Sequence, residues 1–536
     1  MKTIPLYVLL SLTLVACGGG GRGGSPSTTG SSGHPPSSSL AAQCAVPRAA
    51  GTVNPDTGQA YGDRQGNLSN EMAWIGSYVN ETYLWYADVP VVSSTPYIIG
   101  ATVPYVSPSN NVASTKTLAS NYDVVDVYFN SQRSSLTTAS GKPKDQFHFT
   151  YTTSDWQALS KAGVQAGFGF DVALLAAAPP RQALVALTSP GSVAAQNNLL
   201  RGAQFLTVNG VDVVNGSDVA TLNEGLFAPV AGKQYTFQIL DQGAVTPRTI
   251  SMVAGTVTLT PVQNVGTLPA PNAAVGYILY NDQIATAESE LIAAITTLKA
   301  ANISDLVLDM RYNGGGYLDL ASELAYMLAG PAATSGKVFE RDTFNNKNPF
   351  NFTTAQSTIA FLNTTQGFST TSGQALPQLG LSTVYVITGK GTCSASEAIM
   401  NGLIGVGVKV VQVGATTCGK PYGFFPQDNC STTYFTIQFQ GVNNLGFGAY
   451  ADGFIPGGSG STANNLPGCA VADDFSKQLG DPAEARLAAV LQYRSNGTCP
   501  AAPALAMARR QLPEPQLVRS AARENRILRR VDLPLF

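Results

Sequence analysis

The chain has 536 residues, with 31 Lys+Arg against 33 Asp+Glu and only 12% charged residues. That balance excludes a nucleic-acid binder resting on clustered positive charge, and the length exceeds what one compact core needs, so several domains are expected. With Gly 54, Pro 32 and abundant Ser and Thr, the composition fits a loop-rich exported protein.

Residues 1–17 read as a signal peptide: Lys2, an apolar run over 4–12, then Leu14-Val15-Ala16-Cys17. This end resembles the lipobox of bacterial lipoproteins, which implies lipidation of Cys17. Gly18 follows in place of the aspartate that retains such proteins in the inner membrane. The implied site is therefore the outer membrane, facing the periplasm, with the lipid anchor as the only membrane contact. Residues 18–43, rich in Gly, Ser, Pro and Thr, read as a disordered tether. No later run is apolar and long enough to span a bilayer.

Residues 44–160 are expected to form a helical N-terminal domain. Met72, Trp74, Ile75, Tyr78, Val79, Tyr83, Leu84 and Tyr86 give an apolar stripe at helical spacing, and 124–129 fall in a second helix. Residues 161–258 switch to short strands and turns, and their order resembles a PDZ domain. The stretch Gly167-Phe168-Gly169-Phe170 resembles its carboxylate-binding loop, which implies capture of a peptide added as an extra strand.

Residues 259–480 turn to α/β. Strands are expected over 274–280 and 305–310, a helix over 285–300, and Arg311-Tyr312-Asn313-Gly314-Gly315-Gly316-Tyr317 between strand and helix. The chain is organised around residues 383–420. A β-branched run at 384–388, a turn, a helix near Ser394 and a second run at 408–413 lead to Lys420. Strand, tight turn and helix expose a serine oxygen at a helix N-terminus, where free amides can stabilise an oxyanion. Ser394-Ala395-Ser396-Glu397 equally fits a capping box. Only two histidines exist, His34 in the tether and His148, so a lysine is the available base. A lysine serves only when desolvated, and Lys420 sits among Thr416-Thr417-Cys418-Gly419 and Pro421-Tyr422-Gly423-Phe424-Phe425.

GTCSASEAI, the upstream LVLDMRYNGGG and Gly419-Lys420 together resemble the C-terminal processing (tail-specific) peptidase family over residues 62–480. The resemblance implies a multi-domain α/β protein: helical N-terminal domain, PDZ-like β domain, and α/β peptidase core with a Ser-Lys dyad. It implies Ser394 as nucleophile, Lys420 as base, and an oxyanion hole from the amides of Ala395 and Gly315. Protein or peptide substrates would enter through the PDZ-like domain, with no cofactor, metal or nucleic acid. The serine-to-lysine interval is one residue longer than the family pattern, and Phe424 stands where a glutamine is often found. The competing readings are an inactive peptide-binding scaffold and a Ser-Lys esterase or amidase.

Beyond Cys17 the cysteines are Cys44, Cys393, Cys418, Cys430, Cys469 and Cys499. An even set favours disulfides, with Cys418–Cys430 and Cys469–Cys499 as expected pairs. In 481–536, a helix over 481–493 precedes an arginine-rich tail, expected to be solvated or loosely docked.

Overall fold

Four apolar runs build the centre of the molecule. Val275–Tyr280, Asp305–Asp309, Thr383–Thr388 and Lys409–Gly414 are strands with almost every side chain buried. Continuous apolar sequence of this kind belongs to parallel strands covered on both faces. The computed structural model describes residues 34–55, 57–107, 112–457, 463–501, 514–519, 523 and 526–528. Cys17, the signal segment and the tether up to residue 33 lie outside the described residues.

The elements that position the site are, in chain order, helices α1 (Leu68–Thr82) and α2 (Asn121–Ser131) and strands β1 (Phe149–Thr152), β2 (Val164–Gly167), β3 (Phe170–Ala176), β4 (Gln182–Thr188) and β5 (Gln204–Val208). Helix α3 (Val219–Phe227) and strands β6 (Gln234–Leu240), β7 (Arg248–Val253) and β8 (Gly255–Thr258) follow. The core then runs β9 (Val262–Thr267), β10 (Val275–Tyr280), α4 (Ala287–Ala300), β11 (Asp305–Asp309), β12 (Gly315–Tyr317), α5 (Leu318–Ala329), β13 (Thr383–Thr388), α6 (Ala395–Gly405) and β14 (Lys409–Gly414). Last come β15 (Tyr422–Gly423), β16 (Thr432–Phe435), β17 (Gly468–Ala470), α7 (Ala485–Asn496), β18 (Gln516–Val518) and β19 (Arg526–Leu528).

The core sheet has the order β9-β10-β11-β13-β14-β17, with β9 antiparallel and the other pairings parallel. Leu291, Ile295 and Leu298 of α4, Leu324 and Leu328 of α5, and Ile399 and Leu403 of α6 are buried in one cluster with β10, β11 and β13. Each such side chain contributes about 1.5–3 kcal/mol on burial.

Residues 161–258 form an antiparallel sheet of order β7-β6-β5-β4-β3, with its own apolar cluster under α3. It is fastened to the core through charge. Arg201 donates to Asp473 (2.8 Å) and to the Tyr312 hydroxyl (2.5 Å), while Arg311 reaches Asp309 (2.8 Å), Asp473 (2.7 Å) and Glu484 (2.9 Å). Side chains of Arg311, Asp309 and Glu484 have no exposed surface, so a charge there is tolerable only because every partner is present.

Several expectations change. Residues 44–160 contain strands at Thr102–Val106, Ala113–Thr117 and β1 as well as helices. Helix α1 starts at an Asn67 capping box and stops at Thr82, so Tyr83, Leu84 and Tyr86 lie beyond it. This region also packs into the core: β1 pairs with β16, and Trp74 meets Tyr434 at 5.0 Å between ring centroids. The tether does not extend to residue 43. Ser37–Leu40 is a helical turn, and Ser37 is buried with its amide on Glu81 Oε1 at 2.8 Å. The helix expected from 481 starts at Ala485.

The cysteine pairing is Cys44–Cys430, Cys393–Cys418 and Cys469–Cys499. The expected Cys418–Cys430 pair is therefore replaced by two others. Parallel pairing of β13 with β14 brings the loops after them together, leaving Cys393 and Cys418 with Cα atoms 5.1 Å apart. Cys430 instead meets the N-terminal segment, where Ala42 donates to Asn429 Oδ1 at 2.8 Å. Among the described residues no helix is long and apolar enough to cross a membrane.

Candidate active site

The turn between β13 and α6 is held against the turn after β11. Thr392 Oγ1 donates to Met310 O (2.8 Å), and the Cys393 amide donates to Asn313 O (3.0 Å). Asn313 is the hub: its Nδ2 donates to Tyr280 O (3.0 Å) and its Oδ1 accepts from Gly315 N (2.9 Å). Gly316, at φ +153°, admits no side chain, because a Cβ would lie 1.9 Å from Gln283 O.

Ser394 lies at the head of α6 with φ +67° and ψ −122°. A non-glycine residue held there costs about 1–3 kcal/mol, and such strain is typical of a nucleophile presented on a strand-to-helix turn. Its Oγ is buried and makes no hydrogen bond to a described residue. Ser396 differs: its hydroxyl donates to Asn313 O and accepts from Gln283 Nε2, both at 3.1 Å. One serine hydroxyl is thus committed to structure on both sides and the other is not.

Lys420 is fully buried, with Nζ 3.9 Å from the Phe424 ring centroid and 4.8 Å from that of Phe147. The phenylalanine at the glutamine position therefore confines the ammonium group by cation–π contact. Glu397 joins the two halves of the site. Its Oε2 accepts from the amides of Ser394 (2.9 Å) and Lys420 (2.8 Å). Its Oε1 accepts from Gly419 N (2.9 Å) and Thr417 Oγ1 (2.5 Å). Burial pushes the Glu397 carboxyl above its ordinary range, against the four hydrogen bonds that favour its charge.

The Ala395 amide is the first inside α6 and has no partner within the helix, as the first turn of any helix dictates. The Gly315 amide is spent on Asn313 Oδ1. His148 is a core residue: fully buried, stacked on Phe129 at 3.8 Å, and 3.5 Å from Asp145. Burial lowers its pKa despite the neighbouring carboxylate. Cys393, Glu397 and Cys418 converge as a metal-like donor set, but the two sulfurs are bonded to each other.

Gly167, Phe168, Gly169 and Phe170 turn from β2 into β3 beside a cavity of about 560 Å³ lined also by Leu226 and Phe227 of α3. Phe168 is buried and stacks on Phe170 at 5.5 Å. Gly169, at φ +90°, passes so close to Ser192 that a Cβ would fall 2.1 Å from the serine Cβ. Sequence reasoning gave no role to Asn313 or Thr417 and did not single out Gln283 or Phe147. Glu397 was legible only as a helix cap.

Residues 274–428, which contain Asn313, Ser394, Glu397 and Lys420, match Peptidase family S41. The stretch that holds the candidate site is thus similar to that peptidase family. Carboxyl-terminal-processing proteases of Picosynechococcus sp. and Synechocystis sp. are each 26% identical to it, over 243 and 236 residues. These alignments cover 44% and 43% of this chain, and the chain spans 50% and 47% of those relatives. A solved structure assigned to the S41 proteases of Bacteroides fragilis matches the fold with a TM-score of 0.56 at 22% identity, over 79% of this chain and 97% of that one.

Proposed function

We propose that the protein is a serine endopeptidase that cleaves extended or C-terminal segments of exported proteins through Ser394 and Lys420. Lys420 Nζ removes the proton from Ser394 Oγ as the oxygen attacks a peptide carbonyl. The Ala395 amide, at the positive end of α6, faces the developing oxyanion. Collapse breaks the C–N bond, the leaving amine takes the proton, and water then hydrolyses the acyl-enzyme by the same route. Gly315 joins the oxyanion hole only by releasing its bond to Asn313.

The observation that carries this reading is the contrast between the two serines: Ser394 strained and unbonded at Oγ, Ser396 tied on both sides. The sheet of residues 161–258 acts as the peptide-capturing PDZ-like domain, with the turn at 167–170 beside its groove. Cys17, as the lipid attachment point, holds the enzyme at the outer membrane facing the periplasm. Purified protein should hydrolyse an unfolded casein-like substrate. Ser394→Ala should abolish this and Ser396→Ala should leave it measurable. The opposite pattern would refute the assignment, and hydrolysis by neither folded variant nor wild type would leave the chain a peptide-binding scaffold.

A further inference from the structure

Among the described residues of the arginine-rich C-terminal segment, Arg519 and Arg523 are docked rather than solvated, with side chains 1% and 4% exposed. Strand β18 adds antiparallel to the free edge of β3, pairing Gln516 with Leu174, Leu517 with Ala173 and Val518 with Val172. Its chain direction runs towards the turn at Gly167–Phe170, and Val518, Arg519 and Arg523 form part of the wall of the cavity beside that turn. An extended segment added to a sheet edge is how peptides are captured by strand addition.

Beyond β18 the segment turns on two acids. Arg519 donates from Nε to Asp171 Oδ2 at 3.0 Å and also bonds Tyr312 O. Arg523 joins Asp171 and Asp282, at 2.9 Å each. Asp171, Asp282 and Arg523 are all buried. Next, β19 pairs in parallel with β12, setting Arg526 beside Gly315 and Ile527 beside Gly316. The same strand touches α6, headed by Ser394, and β15, which starts two residues after Lys420. One segment therefore leads from the groove edge, across two carboxylates, to the glycine turn of the catalytic site.

A buried carboxylate that loses its partner is strongly disfavoured, and against its burial Arg519 and Arg523 hold Asp171 below its ordinary value.

We propose that the arm described at residues 514–519, 523 and 526–528 occupies this chain's own peptide path as a substrate-like ligand, and that Asp171 with Asp282 forms a subsite selecting basic residues in the segment that replaces it. The arm and an incoming chain compete for β3, for the two acids and for the backbone of β12. The proposal rests on the peptidase reading of Ser394 for what the path serves, but its test reads binding alone.

A labelled peptide of residues 514–528 is titrated by fluorescence anisotropy into the full-length Ser394→Ala protein, with and without Arg519→Glu/Arg523→Glu. Reversing the arm's charge should strengthen binding about ten-fold or more, the scale of one charge-assisted hydrogen bond. Adding Asp171→Asn/Asp282→Asn, or replacing both peptide arginines by glutamine, should remove that gain. Equal binding to both arms, or binding indifferent to the arginines, would overturn the proposal. A second measurement needs no arm variant: excess peptide added to the Ser394→Ala protein should speed tryptic cleavage at Arg519 and Arg523, and unchanged protection would overturn it. Peptide binding without hydrolysis by the wild type would sink the peptidase reading and leave this one standing.

Discussion

The backbone amides of Ser394 and Lys420 converge on one oxygen, Glu397 Oε2, at 2.9 and 2.8 Å. A single carboxylate thereby sets the strained serine turn against the loop that delivers the lysine. Glu397→Gln keeps the shape but turns one acceptor into a donor facing these amides. We expect kcat to fall about 100-fold or more, with KM changed far less, as for a residue acting on the geometry of reacting groups. A KM effect with unchanged kcat would assign Glu397 to substrate binding instead.

Lys420→Arg keeps the positive charge between Phe147 and Phe424 but supplies a group that does not give up its proton near neutrality. Peptidase activity should be lost while the thermal unfolding temperature stays within a few degrees of wild type. An active arginine variant would remove Lys420 from the role of base.

The Cys393–Cys418 disulfide ties the residue before Ser394 to the residue two before Lys420. Cys393→Ser/Cys418→Ser, or reduction of the folded protein, should lower kcat about ten-fold or more, because small misplacements of a catalytic pair cost that much. Cys469→Ser/Cys499→Ser, whose bond joins β17 to the segment after α7, should leave kcat near wild type. Equal effects of the two double variants would mean that both bonds act through stability alone.

Glu323 and Glu288 face each other under the loop at 366–370. Glu288 accepts from Gly367 N (2.9 Å), Ser369 N (2.8 Å) and Thr370 N (3.1 Å), and both acids accept from Gln366 N. Burial first, and then the Glu288 charge, push the Glu323 carboxyl up to about 9. The folded chain therefore keeps a proton that the unfolded chain releases above the ordinary carboxyl range. Stability from this site is fully present at low pH and falls as pH rises towards about 9. Glu323→Gln mimics the protonated acid and should flatten the decline in unfolding temperature between about pH 5 and about pH 9. An undiminished slope in the variant would place the titration elsewhere.

The sequence by itself determined the elements around the site, because they follow from local periodicity and turn chemistry. Unbroken apolar runs marked β10, β11, β13 and β14 within a residue or two, and the serine at a strand-to-helix turn marked Ser394. The tertiary structure decided which distant groups meet. Glu397 reads locally as a helix cap, and only the pairing of β13 with β14 lays the amides of Gly419 and Lys420 against it. Cys44 finds Cys430 across 386 residues, a contact that spacing does not encode. The C-terminal arginines look like a solvated tail because charge in a sequence carries no partner with it. Arg519 becomes a buried ion only because β18 adds to β3 and brings it to Asp171, 348 residues away. Local patterning follows from the backbone's few allowed conformations, whereas a buried charge is stable only where long-range topology supplies its opposite.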